Sequence, residues 1–265
     1  MKFLPLKCQK VLGLLLQLLN IASMCTVSFI PVRDNYIITS NRDEKNSRRQ
    51  AITPAIYEFE TGKLIFPKDT DAEGSWIALH ENGNAAVLLN GAFEKHISRP
   101  PYRLSRGKIL LTVIASENPV RRFDRLNLER IEPFTLVIVE KGDLYECRWD
   151  GNKKYCRQLR NYRHYIWSSA TLYEKEIVKK REQWFAAFLN RNSNPTQEDI
   201  LNFHQFTGDG DKNNNLQMER SGLYSTVSIT SILLTVDRGS MKYLDLKERK
   251  MYERKIELTS DYELA

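Results

Sequence analysis

The sequence predicts an α+β protein in which antiparallel sheets pack together and are covered by helices. Roughly a dozen short β-rich runs are joined by tight turns, and two groups of segments show helical spacing. Nowhere do strands alternate with helices as a parallel sheet requires, and the phosphate-binding patterns GxGxxG and GxxxxGK(S/T) are absent. Neither a dinucleotide site nor a P-loop is therefore expected. A chain of 265 residues with 42% hydrophobic and 28% charged side chains can bury a core and has the size of one large domain.

Each element follows from its local pattern. Thr26–Val32 and Tyr36–Ser40 are β-rich and flank Arg33-Asp34-Asn35, a turn-forming triplet, so they read as a hairpin. Ala55–Glu60 with Lys63–Phe66, around Thr61-Gly62, and Trp76–His80 with Ala85–Leu89, around Glu81-Asn82-Gly83-Asn84, give two more. Within Ser105–Glu117 the residues Leu110, Val113 and Ile114 recur at helical spacing, and a shorter helix is expected over Val120–Leu126. Strands resume at Phe134–Glu140, Leu144–Trp149 and Tyr155–Leu159. From Glu174 to Arg191 the stripe Ile177, Trp184, Phe185, Phe188 and Leu189 marks a helix whose apolar face packs on a sheet. Pro195, read as a first-turn residue, starts a further helix to about Phe206. Leu223–Val236, Lys242–Leu246 and Met251–Leu258 finish the chain as strands.

The formal charge of +7 hints at nucleic acid, but Lys2, Lys7 and Lys10 lie in a leading segment, and setting them aside leaves +4. The other basic residues are interleaved with acids, as in Glu174-Lys175-Glu176, so a solvated mixed surface and no nucleic-acid partner are expected. Residues 1–23 place three lysines before an apolar run from Val11 to Ile21, which is short for a stable membrane span. Met24 before Cys25 does not suit signal cleavage, so 1–23 reads as an upstream extension, with initiation at Met24 and a cytoplasmic location. A signal segment and export is the alternative. On this reading the domain covers 24–265.

Four cysteines, Cys8, Cys25, Cys147 and Cys156, include no CxxC pair, and no resident cofactor or metal is expected. Cys147 and Cys156 flank Asp150-Gly151-Asn152-Lys153, a hairpin loop that would set them opposite each other. They would bridge in an oxidising compartment and remain facing thiols in a reducing one. His80, His96, His164 and His204 are scattered, and nothing selects one as a partner for a cysteine. The stretch Gly208 to Arg220 departs from a calcium loop at Asn214 and at Arg220 and reads as a polar turn.

Cys25 is the residue that carries chemistry. Loss of Met24 would leave an α-amino group, with an ordinary pKa of ~7.7–8.0, within reach of its own thiol, so no histidine is needed as base. The first hairpin would return Asn41-Arg42-Asp43-Glu44 beside Cys25, bringing a guanidinium that favours thiolate and a carboxylate that holds or positions the amine. Neighbours on an extended strand point to opposite faces, so Asn41 and Asp43 should share one face and Arg42 and Glu44 the other. Plainer readings stand beside these. Cys25 could be a small core residue, Arg42 and Asp43 a buried ion pair, and Asn90-Gly91 a type I′ turn.

Met24-Cys25-Thr26-Val27, Asn41-Arg42-Asp43-Glu44, Gly74-Ser75-Trp76-Ile77, Leu89-Asn90-Gly91, Ser105-Arg106-Gly107, Trp167-Ser168-Ser169 and Ser225-Thr226-Val227 together resemble the NRDE family, also called the transport and Golgi organisation protein 2 family. That family is similar to N-terminal-nucleophile hydrolases of the choloylglycine hydrolase and penicillin acylase kind, which implies a four-layer αββα fold. The resemblance implies Cys25 as an amide-attacking nucleophile with Arg42 and Asp43 around it and Asn90 as an oxyanion donor. It gives a catalytic set of Cys25, Asn41, Arg42, Asp43 and Asn90. Where the hydrolases have a later asparagine and arginine, this chain offers Ser168-Ser169 and Tyr224. The family also implies a second function class, a non-catalytic carrier of haem or of lipid such as acyl-CoA. The expected partner is accordingly a small molecule: an amide, haem or acyl-CoA.

Overall fold

The first hairpin sets the frame of the molecule. In the computed structural model, which describes residues 24–171 and 174–259, β1 (Met24–Val32) turns directly into β2 (Asn35–Lys45). The cross-strand register runs from Val32 opposite Asn35 to Met24 opposite Asp43, so the tetrapeptide does return beside the start of β1. β2 is therefore longer than expected. Its residues from Tyr36 to Glu44 are buried on both faces, which hides the usual alternation of apolar and polar side chains. The leading segment 1–23, with Cys8, lies outside the described residues.

Two antiparallel sheets result. The first has the order β10 (Tyr165–Ser168), β1, β2, β12 (Tyr224–Leu234), β13 (Arg238–Asp245), β14 (Lys250–Glu257), and β11 (Glu219–Arg220) also pairs with β12. The second runs in sequence order: β3 (Ile52–Phe59), β4 (Gly62–Lys68), β5 (Ile77–His80), β6 (Ala85–Asn90), β7 (Phe134–Glu140), β8 (Asp143–Trp149) and β9 (Lys154–Leu159). Cys147 and Cys156 face each other in the β8–β9 register and are joined as a disulfide.

Three apolar clusters divide the molecule into layers. Val27, Phe29, Ile38, Leu79, Val87 and Ile232 fill the space between the sheets. The outer face of the second sheet is covered by α1 (Arg106–Ile114) and α2 (Pro119–Arg125) through Ile109, Leu110, Val113 and Phe123. The outer face of the first sheet meets α3 (Lys175–Arg191) and α4 (Gln197–Phe206) through Phe185, Ile200 and Phe203. The arrangement is the expected helix–sheet–sheet–helix sandwich.

Local chemistry fixes the helix starts. Ser105 caps α1, accepting from the Lys108 N–H. Thr196 and Asp199 form a reciprocal capping box on α4, so Pro195 stands just before the cap and not in the first turn. The face of α3 that buries Phe185 also buries Arg181, which donates to Thr26 Oγ1 and to the carbonyls of Asn214 and Asn215. The face expected to be apolar therefore also carries a charge. Its arginine is clamped among oxygen acceptors, which offsets the cost of taking a charge out of water.

Candidate functional site

β1 presents Cys25 to the space between the sheets, directly opposite Arg42 in register, and the residue is 4% exposed. As a residue inside a continuous chain its thiol is pushed up to about 12. Burial is the main cause and the Asp43 and Glu44 charges add to it, outweighing Arg42. So placed, the thiol is protonated and a poor nucleophile unless a base stands beside it.

The strand alternation expected for the tetrapeptide is seen. Arg42 lies over the Trp76 ring at 4.5 Å and donates from Nη2 to Asp69 Oδ2 at 2.5 Å and to Glu44 Oε2 at 3.3 Å. Its ion partners are thus Glu44 and Asp69. Arg48 adds two bonds to Asp69, at 2.8 and 2.9 Å. These groups wall a cavity of about 290 Å³ that Ser75, Asn90, Arg106 and Glu132 also line. Asn90 ends β6, and the chain continues from Gly91 into a long loop, so the pair is no hairpin turn. Ser169 connects Asn90 to the cysteine: its Oγ donates to the Asn90 carbonyl at 2.7 Å, and its N–H donates to the Cys25 carbonyl at 3.0 Å.

Asn41 is not brought to this cavity. It points to the outer face of the sheet, where Nδ2 donates to the carbonyls of Leu216 at 2.7 Å and His204 at 3.1 Å. Its Oδ1 accepts from His204 Nδ1 at 2.5 Å, and His204 Nε2 accepts the Ser28 hydroxyl at 2.7 Å. Burial, aided by the Arg181 charge, pulls His204 down to about 3, so the ring is neutral and can play both parts. The set looks like a nucleophile relay, but all three residues are fully buried. Asp43 shares this outer face and accepts from Thr226 Oγ1 at 2.5 Å, while its backbone hydrogen-bonds the Cys25 sulfur.

Several cavity residues carried no assigned role from sequence. Arg106 pairs with Glu132 at 3.1 Å. Glu132 in turn meets His96 at 3.2 Å. The motifs Gly74-Ser75-Trp76 and Ser105-Arg106-Gly107 mark this place because the start of α1 presses on the loop before β5. A Cβ at Gly74 would stand 2.4 Å from the Gly107 carbonyl carbon, and one at Gly107 would stand 2.9 Å from the Ser75 nitrogen. Asp69 and Glu132 had no signal in the sequence, since the loops that bring them in are fixed by packing and by hydrogen bonds to residues distant in the chain.

Asp69 is held at about 2 against an ordinary 3.8. Burial would raise it, but hydrogen bonds from Arg48 and the Ala72 N–H, with the Arg42 and Arg48 charges, outweigh burial. A carboxyl lowered in the folded state stabilises it above the unfolded value and loses that contribution as pH falls through the folded value. In urea titrations, the stability gap between wild type and Asp69→Asn should narrow by about 2 kcal/mol as pH falls from 3.8 to about 2. A gap that stays constant over that window would count against this charge network.

A second, larger groove of about 820 Å³ lies behind the Asn90–Gly91 corner, with Leu89, Phe93, Tyr165, Trp167 and Val178 in its lining. Tyr165 and Trp167 stack there at 5.5 Å, and Trp167 Nε1 donates to the buried Glu146. Ser168, Ala170 and Thr171, which flank the buried Ser169 tied to Cys25, stand in the groove wall.

Solved structures share this fold. Conjugated bile acid hydrolase from Clostridium perfringens superposes in a cysteine-to-alanine mutant with a TM-score of 0.56, at 10% identity over 87% of this chain and 92% of that one. An arginine-to-leucine variant of the same hydrolase superposes at 0.58, at 10% identity over 91% and 98%. The N-acylethanolamine-hydrolysing acid amidase ortholog of Caenorhabditis elegans superposes at 0.52, at 10% identity over 78% and 92%. The expected N-terminal-nucleophile-hydrolase fold therefore holds. No curated protein matches the chain by sequence. The model of the family Transport and Golgi organisation 2 (TANGO2) does match, over residues 24–252, and the chain belongs to that family.

Proposed function

We propose that the domain from Met24 onward is an amide hydrolase whose nucleophile is Cys25, exposed by removal of Met24. The observation that carries this reading is the pairing of Cys25 with Arg42 on the inter-sheet face, with Asp43 opposite Met24. A new amine at Cys25 would stand at the Asp43 end of β2, where the carboxylate can orient it. The thiol gives its proton to that amine as sulfur attacks the amide carbonyl. Asn90 and Arg106 are the candidates to steady the oxyanion. Collapse expels the substrate amine, which takes the proton back, and water then releases the acid from the thioester.

The relatives in structure are named for conjugated bile acids and N-acylethanolamines as their substrates. The two cavities meet at the Asn90–Gly91 corner, Cys25 itself lining neither, and together they suit an amide of the same general build. The charged cavity beside Arg42 and Arg106 takes the polar amine part, and the aromatic groove takes the apolar acyl part. That groove also favours the second reading, a carrier of haem or acyl-CoA.

Mass spectrometry separates them. A hydrolase shows a mature N-terminus at Cys25 and, with an N-acyl amide, a transient adduct of acyl mass on Cys25. Saturable binding of haem or acyl-CoA by a chain whose N-terminus lies upstream of Cys25, with no adduct, would leave only the carrier.

A further inference from the structure

Residues 91–105, which connect β6 to α1, contain no helix or strand and carry an unusual surface. Phe93 is 53% exposed, Ile97 77% and Leu104 38%. Single exposed apolar residues are ordinary on a protein surface, but three on one connection call for an explanation. Lys95, Arg99 and Arg103 are interleaved with them against one acid, Glu94. The patch extends onto β9, where Tyr155, 43% exposed, meets the Phe93 ring edge-on at 5.0 Å.

The loop is also built. Arg103 donates to the carbonyls of Asn127 and Glu129, Arg130 donates to the Pro101 carbonyl, and the Arg99 N–H donates to the Tyr102 hydroxyl. These bonds hold the backbone while leaving Ile97 turned to water, and Phe93, half exposed, packs beneath the Arg148 guanidinium at 4.8 Å. Phe93 and Lys95 border the aromatic groove, and Ser98 and Ser105 border the charged cavity. One surface therefore runs past both openings.

We propose that this loop docks the protein on an anionic membrane surface. Lys95 and Arg99 meet lipid headgroups while Ile97 and Leu104 enter the acyl boundary. Charge complementarity selects an acidic partner. The aliphatic side chains select lipid over nucleic acid, because Ile97 and Leu104 gain nothing from a phosphate backbone and gain hydrophobic burial from acyl chains. Docking is peripheral. Among the described residues no helix is long and apolar enough to cross a membrane. The proposal does not depend on the hydrolase reading.

The test is co-sedimentation of the full chain with phosphatidylcholine vesicles, with and without phosphatidylserine. Binding is expected only with phosphatidylserine and should weaken as salt rises. It should fall about tenfold or more both in Lys95→Glu/Arg99→Glu and in Ile97→Ser/Leu104→Ser. Each altered side chain is solvent-facing, so unchanged thermal melts would show that the variants fold. Equal binding to both vesicles, no binding, or variants that bind like wild type would overturn the proposal. Binding to polyglutamate that survives Ile97→Ser/Leu104→Ser would do the same and point to an acidic protein.

Discussion

A preparation whose chains begin at Cys25 is expected to lose at least about 10³-fold in kcat/KM for an N-acyl amide on Cys25→Ala, because the variant retains the cavities but has no atom to form the thioester. Cys25→Ser should retain a trace of activity, since the hydroxyl sits at the same point but is the weaker nucleophile. The informative companion is a chain that keeps residues upstream of Cys25. Its thiol is held near 12 by burial, and its backbone nitrogen is an amide with no base character. That chain should be as inactive as Cys25→Ala, and trimming it to Cys25 should restore turnover. Turnover by the untrimmed chain would require a separate side-chain base and would refute the mechanism.

Asn41→Ala is expected to be the most damaging change to stability within the tetrapeptide. It strips the partner from His204 Nδ1 and leaves the carbonyls of Leu216 and His204 short of a donor. All of these groups lie in the layer between the first sheet and α4, where water does not replace the lost bonds. The expected cost is about 3 kcal/mol, read as a fall of roughly 1 M in the urea midpoint. Asn41 was expected in the catalytic set. A variant that unfolds at the wild-type midpoint yet loses kcat would return it there.

Much of the fold could be read from local pattern. The first hairpin placed Cys25 beside the tetrapeptide because an adjacent pair of strands needs only a turn and a register. Strand alternation then separated Arg42 from Asn41 before any packing was known. Elements defined by distant partners were harder. Tyr165–Ser168 was missed as a strand because four residues after a polar turn carry little signal, and its place comes from pairing with β1. β13 was expected to begin at Lys242 but starts at Arg238, because Arg238-Gly239-Ser240 has no β-forming residue. Gly239 belongs there through packing: a Cβ would stand 2.6 Å from Leu79 of the opposite sheet. The cavity followed the same division. Arg42 was found through its motif, whereas Asp69 and Glu132 arrive from two separate connections and Arg106, though in a quoted motif, gained its place only when the start of α1 met the loop before β5.

The opposite orientations along Asn41-Arg42-Asp43-Glu44 sort the consequences of natural variation in a living cell. A lesion at Asn41 falls on the layer that holds a helix to its sheet, and it should appear as scarce protein cleared by quality control. A charge-conserving change at Arg42, such as Arg42→Lys, should leave normal amounts of a weakened protein, because an ammonium lacks the flat fork that lies on Trp76 and reaches Asp69. Neighbouring codons would then give opposite readings on an immunoblot.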